Sequence, residues 1–180
     1  MELRTRIPSF ARGSGLLEDA FRFATDRHSS EDAGETEAEH PLDVAELLAE
    51  RGFDDQLVAA ALLHDLVEDT PVRLDELDAR FGEPVARLVG VLTEDPSILS
   101  YTVRKSEHRA RIAAAGERPA TVYAADKVAK LRAARRGGPE LRSAQLDHFA
   151  ATLDELRAAY PNLTFLAELE SELERLPEAP

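Results

Sequence analysis

Apolar residues recur every three or four positions along almost the whole chain, which is the spacing that places them on one face of an α-helix. No stretch alternates apolar and polar residues over the length of a strand. The pattern predicts an all-α fold, a helical bundle of about eight helices, with the first from Gly15 to His28. Further helices are expected near residues 42–51, 57–68, 73–81, 84–92, 102–115, 119–135, 140–160 and 163–176.

Residues with known preferences at helix ends support these boundaries. Pro41 suits the first turn of the second helix, and Asp54 or Asp55 would cap the third. Residues 29–39 are small and acidic, a composition typical of a loop. The last helix repeats leucine at helical spacing, and the sequence leaves open whether it packs on the body of the protein or forms a homo-oligomer through the C-terminal helices.

Length and composition narrow the class of protein. A chain of 180 residues predicts one domain, residues 1–180, with its main motifs at 21–133 and C-terminal helices at 140–176. The sequence has no cysteine, so a metal would be held by imidazole and carboxylate, and a cytoplasmic location is expected. Neither a leader nor an apolar run of about 18 residues is apparent, so no membrane contact is expected. The scarcity of lysine indicates a GC-rich bacterium.

The charge of the chain is unevenly distributed. A net charge of −13 argues against a general binder of nucleic-acid polymers. Residues 103–142 nevertheless hold eleven Lys/Arg against four Asp/Glu. Such a segment would suit a small polyanion, such as a phosphorylated nucleotide, although arginines that merely coat exposed helix faces would give the same count.

One short segment concentrates potential metal ligands and proton acceptors. His64, Asp65, Glu68 and Asp69 directly follow the apolar run at residues 57–63. Spacings of three and four residues place them roughly on one face at the end of the third predicted helix. Because unpaired buried charges are costly, either this segment turns outward or its charges have a partner such as a metal ion.

Two other predicted helices present a metal-competent group beside apolar neighbours. His28 closes the first helix, and Asp126 interrupts the apolar string at residues 121–131. Metal sites built between the helices of a bundle use this arrangement. Two imidazoles and two carboxylates would suit Mn²⁺, Fe²⁺ or Zn²⁺ and leave room for a water molecule.

Several segments together resemble one family. The sequence ALLHDLVEDT at residues 61–70 resembles the signature of the RelA/SpoT-type guanosine polyphosphate hydrolases, which are HD-domain metal-dependent phosphohydrolases. HPLDVA at 40–45, FGEPVARLV at 81–89, the basic pair Arg104-Lys105 and AADKVA at 124–129 resemble further motifs of this family, in family order. The resemblance covers about residues 21–133.

The resemblance implies a ligand set. His28, His64, Asp65 and Asp126 would hold the divalent metal, usually Mn²⁺ in this family, with Zn²⁺, Fe²⁺ or Mg²⁺ as alternatives. His40 is expected to be a structural residue before a proline rather than a ligand.

The resemblance also implies catalytic and binding roles. Glu68 and Asp69 would orient or deprotonate the attacking water, and Arg104 and Lys105 would bind substrate phosphates. The implied reaction is removal of the 3′-pyrophosphate from ppGpp or pppGpp.

Departures from the family concern the recognition of the nucleotide. The acidic loop at 29–39 stands where the family has a basic one, and Lys130 and Tyr123 replace an asparagine and a lysine. Lys130 and Tyr123 are kept as candidate substrate-binding residues, and His108 and His148 are expected at the surface. The alternatives are a phosphohydrolase for another nucleotide and an inactive domain that keeps metal as a regulatory or binding module.

Overall fold

The computed structural model describes residues 6–28 and 39–175. The chain divides into two compact units, Met1–Thr93 and Glu94–Pro180. The described residues contain no strand, so the all-α prediction is confirmed. Within these residues, no helix is both long enough and apolar enough to cross a membrane. The predicted acidic loop falls almost entirely outside the described residues.

The first unit is built around one buried helix. After a 3-10 turn at Ser9–Ala11, its helices are α1 (Gly15–His28), α2 (His40–Glu50), α3 (Asp55–Leu63), α4 (Leu66–Asp69), α5 (Leu74–Phe81) and α6 (Glu83–Leu92). Every residue from 57 to 63 is buried, because α3 packs against α1, α2 and α6 at once. The side chain of Asp54 caps α3 by accepting a hydrogen bond from the Leu57 amide at 3.0 Å.

The second unit surrounds α8 in a similar way. Its helices are α7 (Tyr101–Ala115), α8 (Glu117–Arg135), α9 (Ser143–Ala159) and α10 (Leu166–Glu174). α8 contacts α7, α9 and α10, and most of its residues are buried. Three residues after α8 ends, a Cβ atom at Gly138 would lie 2.7 Å from the Ala133 carbonyl oxygen, so only glycine fits there.

The last helix packs inside its own unit. Leu166 and Leu169 are buried, and α10 contacts α8 and α9. Glu172 is also buried, at 3% exposure, and it forms ion pairs with three arginines, Arg132, Arg135 and Arg175. The leucine repeat of the sequence therefore contributes to the core of the second unit.

Candidate metal centre

The chemistry-bearing segment lies where the central helix of the first unit stops. One continuous helix was predicted here, but His64 and Asp65 form a turn between α3 and α4. His64 is buried, Asp65 is half-buried, and Glu68 and Asp69 on α4 are exposed. The charged side chains thus lead step by step from the core toward solvent.

Backbone and hydroxyl hydrogen bonds fix this turn. The Asp69 amide donates to the Asp65 carbonyl oxygen at 2.9 Å. The hydroxyl of Thr70 donates to the Leu66 carbonyl oxygen at 2.6 Å and accepts from the Val72 amide at 3.2 Å. Because both ends of α4 are tied in this way, the threonine that ends the signature has a structural role.

The His64 ring is held in one tautomer. Its Nδ1 atom lies 2.7 Å from the Ala61 carbonyl oxygen, which can only accept a hydrogen bond, so Nδ1 carries the proton. In the neutral ring, Nε2 then carries the lone pair, and it lies 3.0 Å from Oδ1 of Asp65. Two Lewis bases at this separation can share a cation. The hydrogen bond from Nδ1 to the Ala61 carbonyl oxygen also fixes the orientation of the ring, as such bonds do in metal-bound histidines.

A second imidazole completes the group. His40 opens α2, and its ring packs edge-on against His64, with centroids 5.6 Å apart and an interplanar angle of 68°. One ligand atom from each of His40, His64 and Asp65 lies within 4.8 Å of the others. In the described parts of the chain, these three side chains form a group close enough to hold one metal ion. Their imidazole and carboxylate donors fit a divalent cation.

His28 is not one of these three residues. It ends α1 with 4% exposure and lines a small cavity with Ala24, Leu62 and Pro41, the residue after His40, among its walls. The structure therefore places His40, which was expected to be structural, beside His64 and Asp65, and the role of His28 as a ligand stays a prediction. The sequence did carry a signal for His40, because this residue opens the HPLDVA segment that matches the family.

Asp126 lies in the second unit, on α8, and is buried at 4% exposure. It forms ion pairs with Lys127 and, at 2.8 Å, with Nζ of Lys130. Burial lowers the pKa of Lys127 to about 8, although the charge of Asp126 opposes the change. An acid within an apolar helix needs partners, and in this structure two lysines supply them.

Tyr123 is buried rather than exposed to a ligand, and two histidine side chains contact it. Its hydroxyl lies 3.2 Å from Nε2 of His148, and its ring packs against that of His108 at 5.0 Å. The prediction that these two histidines lie at the surface is wrong, because His108 is 2% exposed and His148 is 5% exposed. Their polar partners, which sequence periodicity does not reveal, make this burial tolerable.

The basic pair of the sequence is held by one carboxylate. Glu94 accepts from Nε of Arg104 at 2.7 Å and from Nζ of Lys105. Burial acts to raise the pKa of Glu94, but the nearby His108 ring and the hydrogen bonds from Lys105 and Arg104 outweigh it and hold the pKa well below its usual range. Glu94 is therefore ionised, and the sequence analysis had not singled it out.

The all-helical fold and the histidine–aspartate group define a helical domain suited to holding a divalent cation. The model of one family, described as the HD domain, matches residues 20–148, and the chain belongs to this family. Two relatives are a guanosine-3′,5′-bis(diphosphate) 3′-pyrophosphohydrolase of Aquifex aeolicus and the enzyme of the same name, MESH1, of Danio rerio. They are 38% and 34% identical over 123 and 138 residues.

The shared portions differ greatly in extent. The match covers 67% of this chain but 18% of the Aquifex protein, whereas it covers 73% of this chain and 76% of the Danio protein. A probable GTP pyrophosphokinase of Mycobacterium leprae is 37% identical over 16% of its own length. The chain thus spans less than a fifth of the two longer relatives.

Solved structures agree with the fold. A metazoan ortholog of SpoT, described as hydrolyzing ppGpp and acting in starvation responses, matches with a TM-score of 0.73 and 25% identity, over 90% of this chain and 96% of its own. A Listeria monocytogenes protein matches with a TM-score of 0.67 and 28% identity, over 75% and 96% of the two chains.

Proposed function

We propose that this chain is a metal-dependent hydrolase that removes the 3′-pyrophosphate from guanosine 3′,5′-bis(diphosphate) or its pentaphosphate analogue. The observation that carries the proposal is the group of His40, His64 and Asp65, followed directly by the exposed carboxylates of Glu68 and Asp69. The relatives named for this reaction, and the motifs that this chain shares with their family, support the choice of substrate.

His40, His64 and Asp65 would hold the metal, with Asp126 as a further ligand on the strength of the family motif alone. His28 stays a predicted ligand from the sequence, and a pair of variants described below decides between it and His40. Mn²⁺ is proposed because it is the usual metal of the resembling family, and the mixed imidazole and carboxylate donors also suit Zn²⁺ or Fe²⁺. When bound, such a cation lowers the pKa of water and offsets phosphate charge.

Glu68 and Asp69 would handle the proton of the attacking water. Their exposed carboxylates lie one helical turn beyond the metal ligands, where either can accept a proton. The water oxygen forms a bond to the phosphorus that carries the 3′ oxygen, and the bond between that phosphorus and the 3′ oxygen breaks. Inorganic pyrophosphate leaves, the 3′ oxygen takes up a proton, and GDP is the other product when ppGpp is the substrate.

Recognition of the substrate is assigned to the second unit. Arg104 and Lys105 would bind phosphate oxygens through charge-assisted hydrogen bonds. Lys130 would add positive charge next to Asp126, and Tyr123 would contribute by positioning its neighbours, since its own side chain is buried. All four roles rest on the family resemblance and on the cationic or aromatic character of the residues.

Further features of the protein are proposed from the family match and from the composition of the chain. Residues 1–180 would act as one HD-type domain, because the family match at 20–148 runs through both compact units. The absence of cysteine supports a cytoplasmic location, and the lysine-poor composition supports a bacterial source. A homo-oligomer through the C-terminal helices would have to use surfaces other than the buried Leu166 and Leu169.

Lys130, which stands where the resembling family has an asparagine and pairs with Asp126, favours a second candidate, a phosphohydrolase for another nucleotide. The test is pyrophosphate release from ppGpp by the purified protein with Mn²⁺, compared with chelator-treated protein and with a Glu68→Gln variant. Metal-dependent release that is lost in the variant supports the proposal. Without release from metal-loaded protein, hydrolysis of other nucleotides would support the second candidate, and inactivity on all of them would indicate a binding module.

A further inference from the structure

Glu94, the first residue of the second unit, is the common partner of the basic pair. Its Oε2 atom accepts from Nε of Arg104 at 2.7 Å, and its Oε1 atom accepts from Nζ of Lys105. The Nδ1 atom of His108 lies 3.8 Å from the same Oε1. Arg104, Lys105 and His108 all lie on α7, so one carboxylate ties the start of the unit to three residues of this helix.

The carboxylate lies deeper than the two cations that it holds. The side chain of Glu94 is 13% exposed, whereas those of Arg104 and Lys105 are 25% and 21% exposed. A turn at residues 95–98 adds a second constraint, because the Ile98 carbonyl oxygen accepts from Nη1 of Arg104 at 2.9 Å. The Ser97 amide, which donates to the Asp95 carboxylate at 2.9 Å, fixes that turn.

This arrangement leaves hydrogen-bond donors available on both cations. A guanidinium carries five N–H donors and an ammonium three. Glu94 and Ile98 engage Nε and Nη1 of Arg104, and Glu94 engages Nζ of Lys105. Among the described residues, Nη2 of Arg104 makes no hydrogen bond. One carboxylate against two cations also leaves a net positive charge, which attracts a phosphate.

We propose that Glu94 is a positioning residue for phosphate recognition, which holds Arg104 and Lys105 side by side so that their remaining donors meet one phosphate group. The inference rests on the proposed function, since it deepens the role assigned to the basic pair.

Electrostatics explains why the pair needs such a residue. Two adjacent cations repel each other, and both lie in the first turns of α7, where the positive end of the helix dipole disfavours them further. The buried carboxylate offsets both effects and restricts two long side chains that would otherwise sample many rotamers. Side chains ordered in advance bind a ligand more tightly because less conformational freedom is lost on binding.

The test compares Glu94→Gln with Glu107→Gln. Glu107 lies on the same helix and pairs with Arg111 at 3.2 Å, but its side chain is 40% exposed, so it is a matched control. With ppGpp as substrate and Mn²⁺ present, Glu94→Gln should raise KM about 10-fold and leave kcat within about 2-fold, the pattern of lost uniform binding. Glu107→Gln should change neither constant, and Glu94→Asp should give a KM between those of the wild type and Glu94→Gln.

A fall in KM for Glu94→Gln would show that the carboxylate competes with phosphate and would overturn the proposal. An unchanged KM would overturn it as well. Thermal unfolding checks that each variant is folded. In a double-mutant cycle, Arg104→Gln should raise KM less in the Glu94→Gln background than in the wild type, because the arginine is already displaced there.

Binding of inorganic pyrophosphate to the same metal-loaded proteins, measured by calorimetry, separates this inference from the proposed function. If the wild type does not hydrolyse ppGpp, the proposed function fails. Weaker pyrophosphate binding by Glu94→Gln, with Glu107→Gln unaffected, would then still support the positioning role. Equal affinity in all three proteins, or no binding by any, would overturn it.

Discussion

The imidazole rings of His40 and His64 lie edge to face with their centroids 5.6 Å apart, although one opens α2 and the other follows α3. This contact exists because α2 and α3 pack along each other in the first unit. It brings the His40 ring next to the His64 ring, whose tautomer is fixed by the hydrogen bond to the Ala61 carbonyl oxygen. The two rings and the Asp65 carboxylate thereby form the candidate metal centre.

The first prediction concerns the identity of the second imidazole ligand. His40→Ala should weaken Mn²⁺ binding by at least about 10-fold, as loss of a ligand or its support does. His28→Ala should keep the metal affinity but lower the free energy of unfolding by about 1–4 kcal/mol, because it empties a buried site. Calorimetric metal titration and urea unfolding measure the two effects. The opposite pattern would restore His28 as the ligand.

The second prediction separates metal binding from proton transfer. Asp65→Ala should lose metal and activity together, because Asp65 belongs to the ligand group. Glu68→Ala should lose activity by about 10²-fold or more while the metal is retained, because a positioned proton acceptor contributes about that much. Metal content by elemental analysis, set beside the hydrolysis rate, tests the division. Equal loss of metal in both variants would contradict it.

The third prediction concerns the anchoring of the last helix. Glu172 is 3% exposed and pairs with Arg132, Arg135 and Arg175. Glu172→Ala should lower the free energy of unfolding by about 1–3 kcal/mol, less than for a wholly buried pair because the arginines can reach water. Glu170→Ala removes an ion pair with Arg157 in which the glutamate side chain is 46% exposed. This variant should lower the free energy of unfolding by less than about 1 kcal/mol. Similar losses in urea unfolding would argue against the anchor.

The fourth prediction concerns pH and a buried histidine. Desolvation, reinforced by the charges of Lys127, Lys105 and Arg109, lowers the pKa of His148 to about 2. Nη1 of Arg109 lies 2.8 Å from Nδ1 of His148, so this ring nitrogen must accept, and protonating it would set two donors against each other.

In the unfolded chain, the pKa of His148 returns to near its ordinary value of 6.5. Between about pH 6.5 and 2 the unfolded state binds one more proton, so stability falls as the pH drops, by at most about 1.4 kcal/mol per pH unit from this residue. His148→Gln should make the stability curve shallower between pH 6.5 and 4 but not between pH 7 and 8. An unchanged slope in the acidic range would show that His148 titrates normally.

Much of the local structure followed from the sequence. The first helix has the predicted bounds, Asp54 caps α3, and most other predicted helices agree within about three residues, because periodicity and end signals act within a few turns. The break at His64 and Asp65 was missed, since residues of good helical propensity stand on both sides of it.

The sequence by itself determined the helices, the order of the motifs and the residue types available for metal and phosphate chemistry, because these depend on neighbours along the chain. The tertiary structure alone decided that His40 joins His64, that His148 is buried against Arg109, and that Glu94 gathers the basic pair. Each of these contacts joins residues outside a shared helical turn. Their formation depends on how helices and turns pack, which no local pattern encodes.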